Sequence, residues 1–291
     1  KVVVARNYIL YRKHVYWAAK ADKPFPLDKT NDFVITMASY PGRINQVPAV
    51  FESLARQNIK PIAAYLVLSE EDFPRRKLPK GISLLQDRGV EIVWCLRNPF
   101  AVKKLTEVWD RNPGYAIAAF DDDFIYAPDV LTHLKANAKG RKRTVLGYIG
   151  KEILRNGGDL ALRYRQRALA KEYSSSSRMY LQGGLGTWYQ PEALDHRFLN
   201  REAFTDIVPG RGSDIWFWAA AVAANAKQIC ISSSAHSKMF IPIPQTGKTK
   251  PLDTPGGEVL EARFQKSIDY FGIREKLLRE LRDCRLQGTS E

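Results

Sequence analysis

The feature that most constrains the fold is a short apolar run, residues 115–120 (YAIAAF), followed at once by Asp121, Asp122 and Asp123. A strand apolar on both faces belongs inside a parallel sheet covered by helices on both sides. The neighbouring segments agree. Residues 33–40 (FVITMASY) read as a strand ending at Pro41-Gly42, 63–69 (AAYLVLS) as a second, and 91–96 (EIVWCL) as a third. Between them, Ile44, Val47, Val50, Phe51 and Leu54 recur at helical spacing, closing at Gln57 before Pro61. Pro99 opens another helix carrying Phe100, Lys103, Lys104, Leu105 and Val108, which stops at Asn112-Pro113-Gly114. Strands alternating with helices predict an α/β fold, a mostly parallel sheet flanked by helices, of the kind that binds nucleotides.

The second half carries a weaker rhythm. Residues 144–150 read as a strand, and the polar, Arg-rich stretch up to Ser174–Ser177 as loop and helix. LQGGLGTWY (181–189) reads as a Gly-rich turn running into a strand. Ser213 is placed to N-cap a helix over 213–227, before a strand at 228–232. Residues 242–257 combine Pro242, Pro244, Gly247, Pro251, Pro255, Gly256 and Gly257 with lysines, which predicts a long loop and a lid. A helical region over 258–283 closes the chain. No compact linker divides it into autonomous domains.

Charge narrows the partners. Forty-five Lys and Arg against 31 Asp and Glu give +14 and a pI near 9.6, a field that attracts nucleic acid, anionic headgroups or nucleotide diphosphates. The basic residues are spread, from Arg6, Arg12, Lys13 and Lys20 to Arg75–Lys77 and Lys139–Arg143. No zinc-finger, helix-turn-helix or RRM-like signature accompanies them, so no nucleic-acid partner is expected. Cys95, Cys230 and Cys284 lack CxxC spacing and fit a reducing compartment. No run approaches the roughly 20 apolar residues of a membrane span. Together these predict a cytoplasmic protein, with peripheral attraction to the inner face of a membrane left open. The start at Lys1 suggests a piece of a longer protein.

The chemistry gathers at the three aspartates. Adjacent like charges at a strand end repel unless a cation neutralises them. Oxygen-only ligands suit Mg²⁺ or Mn²⁺, and the carboxyl ends of strands are where open α/β sheets bind ligands. The alternative is a solvated acidic turn before a helix starting near Asp129, although such a turn needs only one Asp.

FDDDFIYAPD resembles the metal-binding DxD segment of GT-A glycosyltransferases, particularly bacterial enzymes of capsule and lipopolysaccharide synthesis. In the same order, ITMASYPGRI resembles their first strand and nucleotide-binding loop, and YLVLSEEDFP the second strand and its exit. VKKLTEVWDRNP resembles the helix before the DxD strand, and GSDIWFW the late acidic segment that supplies the base in inverting members. Relatives often carry two acidic residues there, whereas this chain has Ser213-Asp214. The resemblance implies a GT-A-like fold, with a basic segment 1–30, a nucleotide-sugar-binding half 31–135, an acceptor-binding and catalytic half 136–257, and a helical region 258–291.

It also implies a hexosyltransferase-class enzyme. The donor would be a nucleotide-diphosphate sugar, UDP-sugar favoured, and the acceptor a glycan or lipid-linked sugar. Asp214 would be the catalytic base of an inverting displacement. Asp123 would hold the metal with Asp121 and a late histidine, His236, while Asp121 and Asp122 would meet donor sugar or ribose. Tyr40 and Arg43 would stack on and hydrogen-bond the base. One of Lys103 and Lys104 would reach a phosphate and the other would be solvated, since adjacent helical residues diverge by about 100°. Gly183 and Gly184 would line the sugar site or simply form a tight turn. Trp188, Trp216 and Trp218 are candidates for a sugar platform or for the core. Two other classes fit parts of the pattern. A sugar-nucleotide nucleotidyltransferase would want a Gly-rich loop where this chain reads ASYPGRI, and a noncatalytic polyanion-binding module leaves the aspartates unexplained.

Overall fold

The structure is a computed structural model that describes residues 2–156, 159–161, 175–231, 239–245 and 257–287. Four parallel strands form one half of a seven-stranded sheet: β1 (Phe33–Ala38), β2 (Ala63–Ser69), β3 (Glu91–Cys95) and β4 (Ala116–Phe120). The other half contains β6 (Thr144–Glu152), β9 (Met179–Tyr189) and β10 (Lys227–Cys230), while β7 (Leu154–Asn156) and β8 (Asp159–Ala161) pair with each other outside it. The order is β10-β6-β9-β4-β1-β2-β3, and β9 alone runs against its neighbours. The fold is therefore the mixed α/β type expected, with a mostly parallel sheet.

Alternation along β1 explains the two covering layers. Phe33, Ile35 and Met37 face one apolar layer and Val34 the other, all of them buried. The first layer is built on α2 (Val47–Ala55), α3 (Lys80–Asp87) and α5 (Val130–Ala138). The second contains α4 (Lys103–Thr106), α6 (Arg201–Ile207), α7 (Ser213–Ala223) and α8 (Gly257–Phe271). A last helix, α9 (Arg274–Gln287), follows Gly272, whose φ of 66° breaks the predicted 258–283 helix in two. Such apolar burial on both faces, at roughly 25 cal/mol per Å², is the main force holding sheet to helices.

Several elements depart from the sequence reading. The N-terminal residues form a helix, α1 (Val2–Lys20), rather than an undefined basic segment. The predicted helix after Pro99 is a 3₁₀ turn (Phe100–Val102) and the single turn of α4. Gly212, with φ 127°, caps α7 without a side-chain bond, so Ser213 is its buried first residue and not its cap. The Gly-rich stretch is part of β9 itself. On β6, Gly147 and Ile149 face Thr187 and Gln182, so residues 183–186 bulge out of the ladder. The predicted lid starts at the end of a strand: Pro242 is the last residue of β11 (Phe240–Pro242), which pairs with β5 (Phe124–Tyr126) just after the aspartates; 246–256 lie outside the described residues.

Candidate active site

Strand β4 delivers Asp121–Asp123 to the carboxyl end of the sheet, where β9 leaves it at the bulge. Local bonds pin the turn. The Tyr126 hydroxyl accepts from the Asp121 N–H and donates to the Asp121 carbonyl, both at 3.0 Å. The Ile243 N–H donates to the Asp123 carbonyl at 2.8 Å.

The three carboxylates then take different surroundings. Asp122 turns inward and is buried: Ser39 Oγ donates to one oxygen at 2.6 Å and Arg43 Nη1 to the other at 3.0 Å. Gln46 Nε2 adds a bond to its carbonyl at 2.9 Å. Burial still leaves its pKa above the ordinary carboxylate range, despite Arg43. Asp123 Oδ2 meets the same guanidinium at 2.9 Å, while its Oδ1 is buried without a hydrogen-bond partner in the protein. Burial, and then the charge of Asp121, push the Asp123 carboxyl up to about 7. Asp121 receives Lys104 Nζ at 2.8 Å and keeps about a third of its side chain exposed.

Lys104 joins the first half to the second. Its ammonium is enclosed, which disfavours its charge, yet Asp121 and Asp214 hold its pKa above the usual lysine value. Asp214, in the first turn of α7, has its pKa raised by burial, opposed by Lys104, with the Gly183 N–H donating to its carboxylate. The helix N-terminus does not keep this group at an ordinary acidity. Gly183 fits because a Cβ there would stand 2.9 Å from Asp214 Oδ1 and 3.5 Å from Lys104 Nζ. Gly186, at φ 89°, lets the bulge cross Phe120, whose Cε1 would lie 2.8 Å from an added Cβ. Gly184 belongs to the same bulge.

The remaining sequence candidates divide. Lys103 is buried rather than solvated: its Nζ donates to Asn98 Oδ1 at 2.9 Å and lies 3.7 Å from Asp72. Burial lowers its pKa. Arg43 is engaged with the aspartates, and Tyr40 lies beside it with its ring centre 5.8 Å from the guanidinium carbon. Trp188, Trp216 and Trp218 are core residues; the Trp216 and Trp218 ring N–H groups are bonded to the carbonyls of Phe198 and Ser177. They therefore form no sugar platform. His236 lies outside the described residues. Sequence reasoning missed Ser39, Gln46 and Tyr126, ordinary residue types whose roles appear only when β1 and β5 are brought beside β4.

Could the set hold a divalent cation? Four carboxylates (Asp121, Asp122, Asp123 and Asp214) face two cations, Arg43 and Lys104. Burial first, and the neighbouring carboxylates after it, raise the pKa values of Asp122, Asp123 and Asp214, and the unpartnered Asp123 Oδ1 offers an oxygen ligand. Among the described residues, no three His, Cys, Asp or Glu side chains form a ligand set. Asp121 and Asp123 alone still suit Mg²⁺ or Mn²⁺, which are commonly held by one or two carboxylates and completed by substrate phosphate and water.

No protein-family model matches this chain, and no curated protein matches it. Among solved structures, 51 chains match. One is the mannosyltransferase PcManGT from Pyrobaculum calidifontis in complex with GDP-Man and Mn²⁺. It is 12% identical, with a TM-score of 0.43 over 79% of this chain, which spans 65% of that protein's length.

Proposed function

We propose that this chain is a metal-dependent glycosyltransferase that moves a sugar from a nucleotide-diphosphate donor, UDP-linked in the first instance, to a glycan or lipid-linked acceptor. The observation that carries the proposal is the meeting of Asp121 and Asp214 around Lys104, with Asp123 held close by on Arg43, where β4 ends and β9 bulges. Asp121 and Asp123 would hold Mn²⁺ or Mg²⁺, and the ion would supply charge neutralisation for the leaving diphosphate. Asp122 orients the turn through Ser39, Arg43 and Gln46, leaving its neighbours to meet the donor. Lys104 keeps Asp121 and Asp214 apart in charge while holding both in place.

Asp214 accepts the proton of the acceptor hydroxyl as that oxygen attacks the anomeric carbon, giving inversion in a single displacement. Its elevated pKa makes it a stronger base than a solvated aspartate. Residues 31–135 would serve the donor and 136–257 the acceptor, with the lid loop and His236 completing the site. A cytoplasmic place in bacterial surface-polysaccharide synthesis rests on the sequence resemblance.

The test is a thermal-shift series with UDP, GDP and their sugars, with and without Mn²⁺. A ligand that binds only the native state raises the midpoint. A rise that needs both nucleotide diphosphate and metal supports the reading. No rise with any pair, in a folded protein, refutes it. Release of pyrophosphate from a nucleoside triphosphate and sugar phosphate would assign a nucleotidyltransferase instead.

A further inference from the structure

Helix α1 has two unlike sides. Tyr11 and Val15 pack on the apolar layer beside α2, and His14 and Trp17 are half-buried with them. At about 100° per residue, Arg6, Tyr8, Ile9, Arg12, Lys13, Tyr16 and Lys20 fall on the other side, and all are exposed. On that side Ile9 is 65% exposed and Tyr16 62%. Residues 1–20 contain five Lys or Arg and no Asp or Glu.

Exposed aliphatic and tyrosine side chains among uncompensated cations form one surface, with two complementary requirements. The cations seek anions, and the aliphatic groups seek a medium that removes them from water. Nucleic acid meets the first requirement and gives Ile9 nothing. An anionic bilayer meets both: headgroups pair with Arg and Lys, tyrosine rings suit the interface, and aliphatic groups enter the acyl boundary. Among the described residues no helix is long and apolar enough to cross a membrane, so the helix would lie on the surface.

We propose that the outward face of α1 docks this protein on the surface of an anionic lipid bilayer. Helix α1 also touches β11, which pairs with β5 directly after the aspartates. Docking through α1 thus sets the candidate site on the membrane-facing flank. That last point rests on the transferase reading and suits a lipid-linked acceptor; the docking itself does not depend on it.

Vesicle co-sedimentation tests the surface without any donor or metal. The unaltered protein should bind phosphatidylcholine vesicles containing phosphatidylserine, release as salt rises, and bind pure phosphatidylcholine far more weakly. Arg6→Glu with Arg12→Glu should lower affinity by at least about 25-fold, taking roughly fivefold for each cation at the surface. Ile9→Asp should also release the protein, while its melting temperature stays unchanged because the side chain is already exposed. Should Ile9→Asp unfold it, Tyr16→Ser provides the same test at another exposed position of that face. Absence of binding to the anionic vesicles overturns the proposal, as does binding that survives both substitutions. Tight binding of a single-stranded oligonucleotide, lost in the Arg6/Arg12 variant without any vesicle binding, would assign the surface to nucleic acid and overturn it as well. None of these outcomes alters the donor-binding test of the transferase reading.

Discussion

Strands β1 to β4 and strands β6, β9 and β10 share one sheet but bring residues to the site by different means. In the first group, parallel strands end together, and the side chains just past the ends, Tyr40, Arg43 and Asp121–Asp123, converge because the topology leaves them there. In the second group, β9 runs the other way, so its end is at the wrong edge. What it contributes is its middle: a bulge whose Gly183 N–H binds Asp214. One region positions chemistry by strand direction, the other by an interruption of the ladder. The first tolerates sequence change wherever burial is kept, whereas the second depends on particular glycines.

The sharpest way to break this comparison is to remove one acid from each group. Asp123→Ala should abolish metal-dependent nucleotide-diphosphate binding, read by thermal shift, with the fold intact by circular dichroism. Asp214→Asn should leave that binding nearly unchanged and lower turnover by roughly 10²-fold or more, the range of general-base catalysis. Equal loss of donor binding in both variants would mean that the two groups do not divide donor and acceptor duties.

The division also explains what the sequence could tell. Buried strands such as 116–120 announce themselves because every position is apolar, and β2 matches its predicted bounds at 63–69. The Asp cluster was legible as charge at a strand end. Arg43's hold on Asp122 and Asp123, and Ser39's bond to Asp122, were not, since they depend on β1 and β4 being neighbours. Helix α1 hid because its outward side is apolar and basic together, which blurs helical periodicity. The bulge in β9 hid for a related reason: four residues that leave the ladder erase alternation.

A next test falls on the glycines. In Gly183→Ala the new methyl meets the Asp214 carboxylate, so turnover should fall by an order of magnitude while stability drops by about 1–3 kcal/mol, as overpacking does. Ala at a random exposed position of β1–β4's connecting loops should do neither. Normal turnover in Gly183→Ala would detach the bulge from the chemistry.

Proton competition gives a smaller effect. With its pKa near 7, above the ordinary 3.8, the Asp123 carboxyl holds a proton in the folded chain that the unfolded chain has lost. Its contribution to stability is complete below the unfolded pKa and disappears as pH rises through about 7. Metal binding needs the ionised form. The Mn²⁺-induced rise in melting temperature should therefore be larger at pH 8 than at pH 6, and Asp123→Asn should flatten the metal-free pH profile in the same interval.

The smallest expected change concerns Ser213. As the first residue of α7 rather than its cap, Ser213→Ala should shift stability by no more than about 0.5 kcal/mol. A loss near 1 kcal/mol in denaturant titration, the usual cost of removing a capping hydroxyl, would restore the cap and make the second group more regular than described.

The bulge also sets a rule about chain length. Between the pairs Gly147–Thr187 and Ile149–Gln182, β6 advances by two residues and β9 by five. An odd surplus of three reverses which face each residue upstream on β9 presents, relative to an uninterrupted strand. Tyr180 and Leu181, both buried, occupy their places because of that count. Losing or gaining a single residue between 183 and 186 would therefore shift the frame in which Met179–Gln182 is read by the sheet, sending each side chain to the opposite face. A change of two would preserve it. Related chains that vary in this segment should accordingly differ in length by even numbers, whatever residues they use.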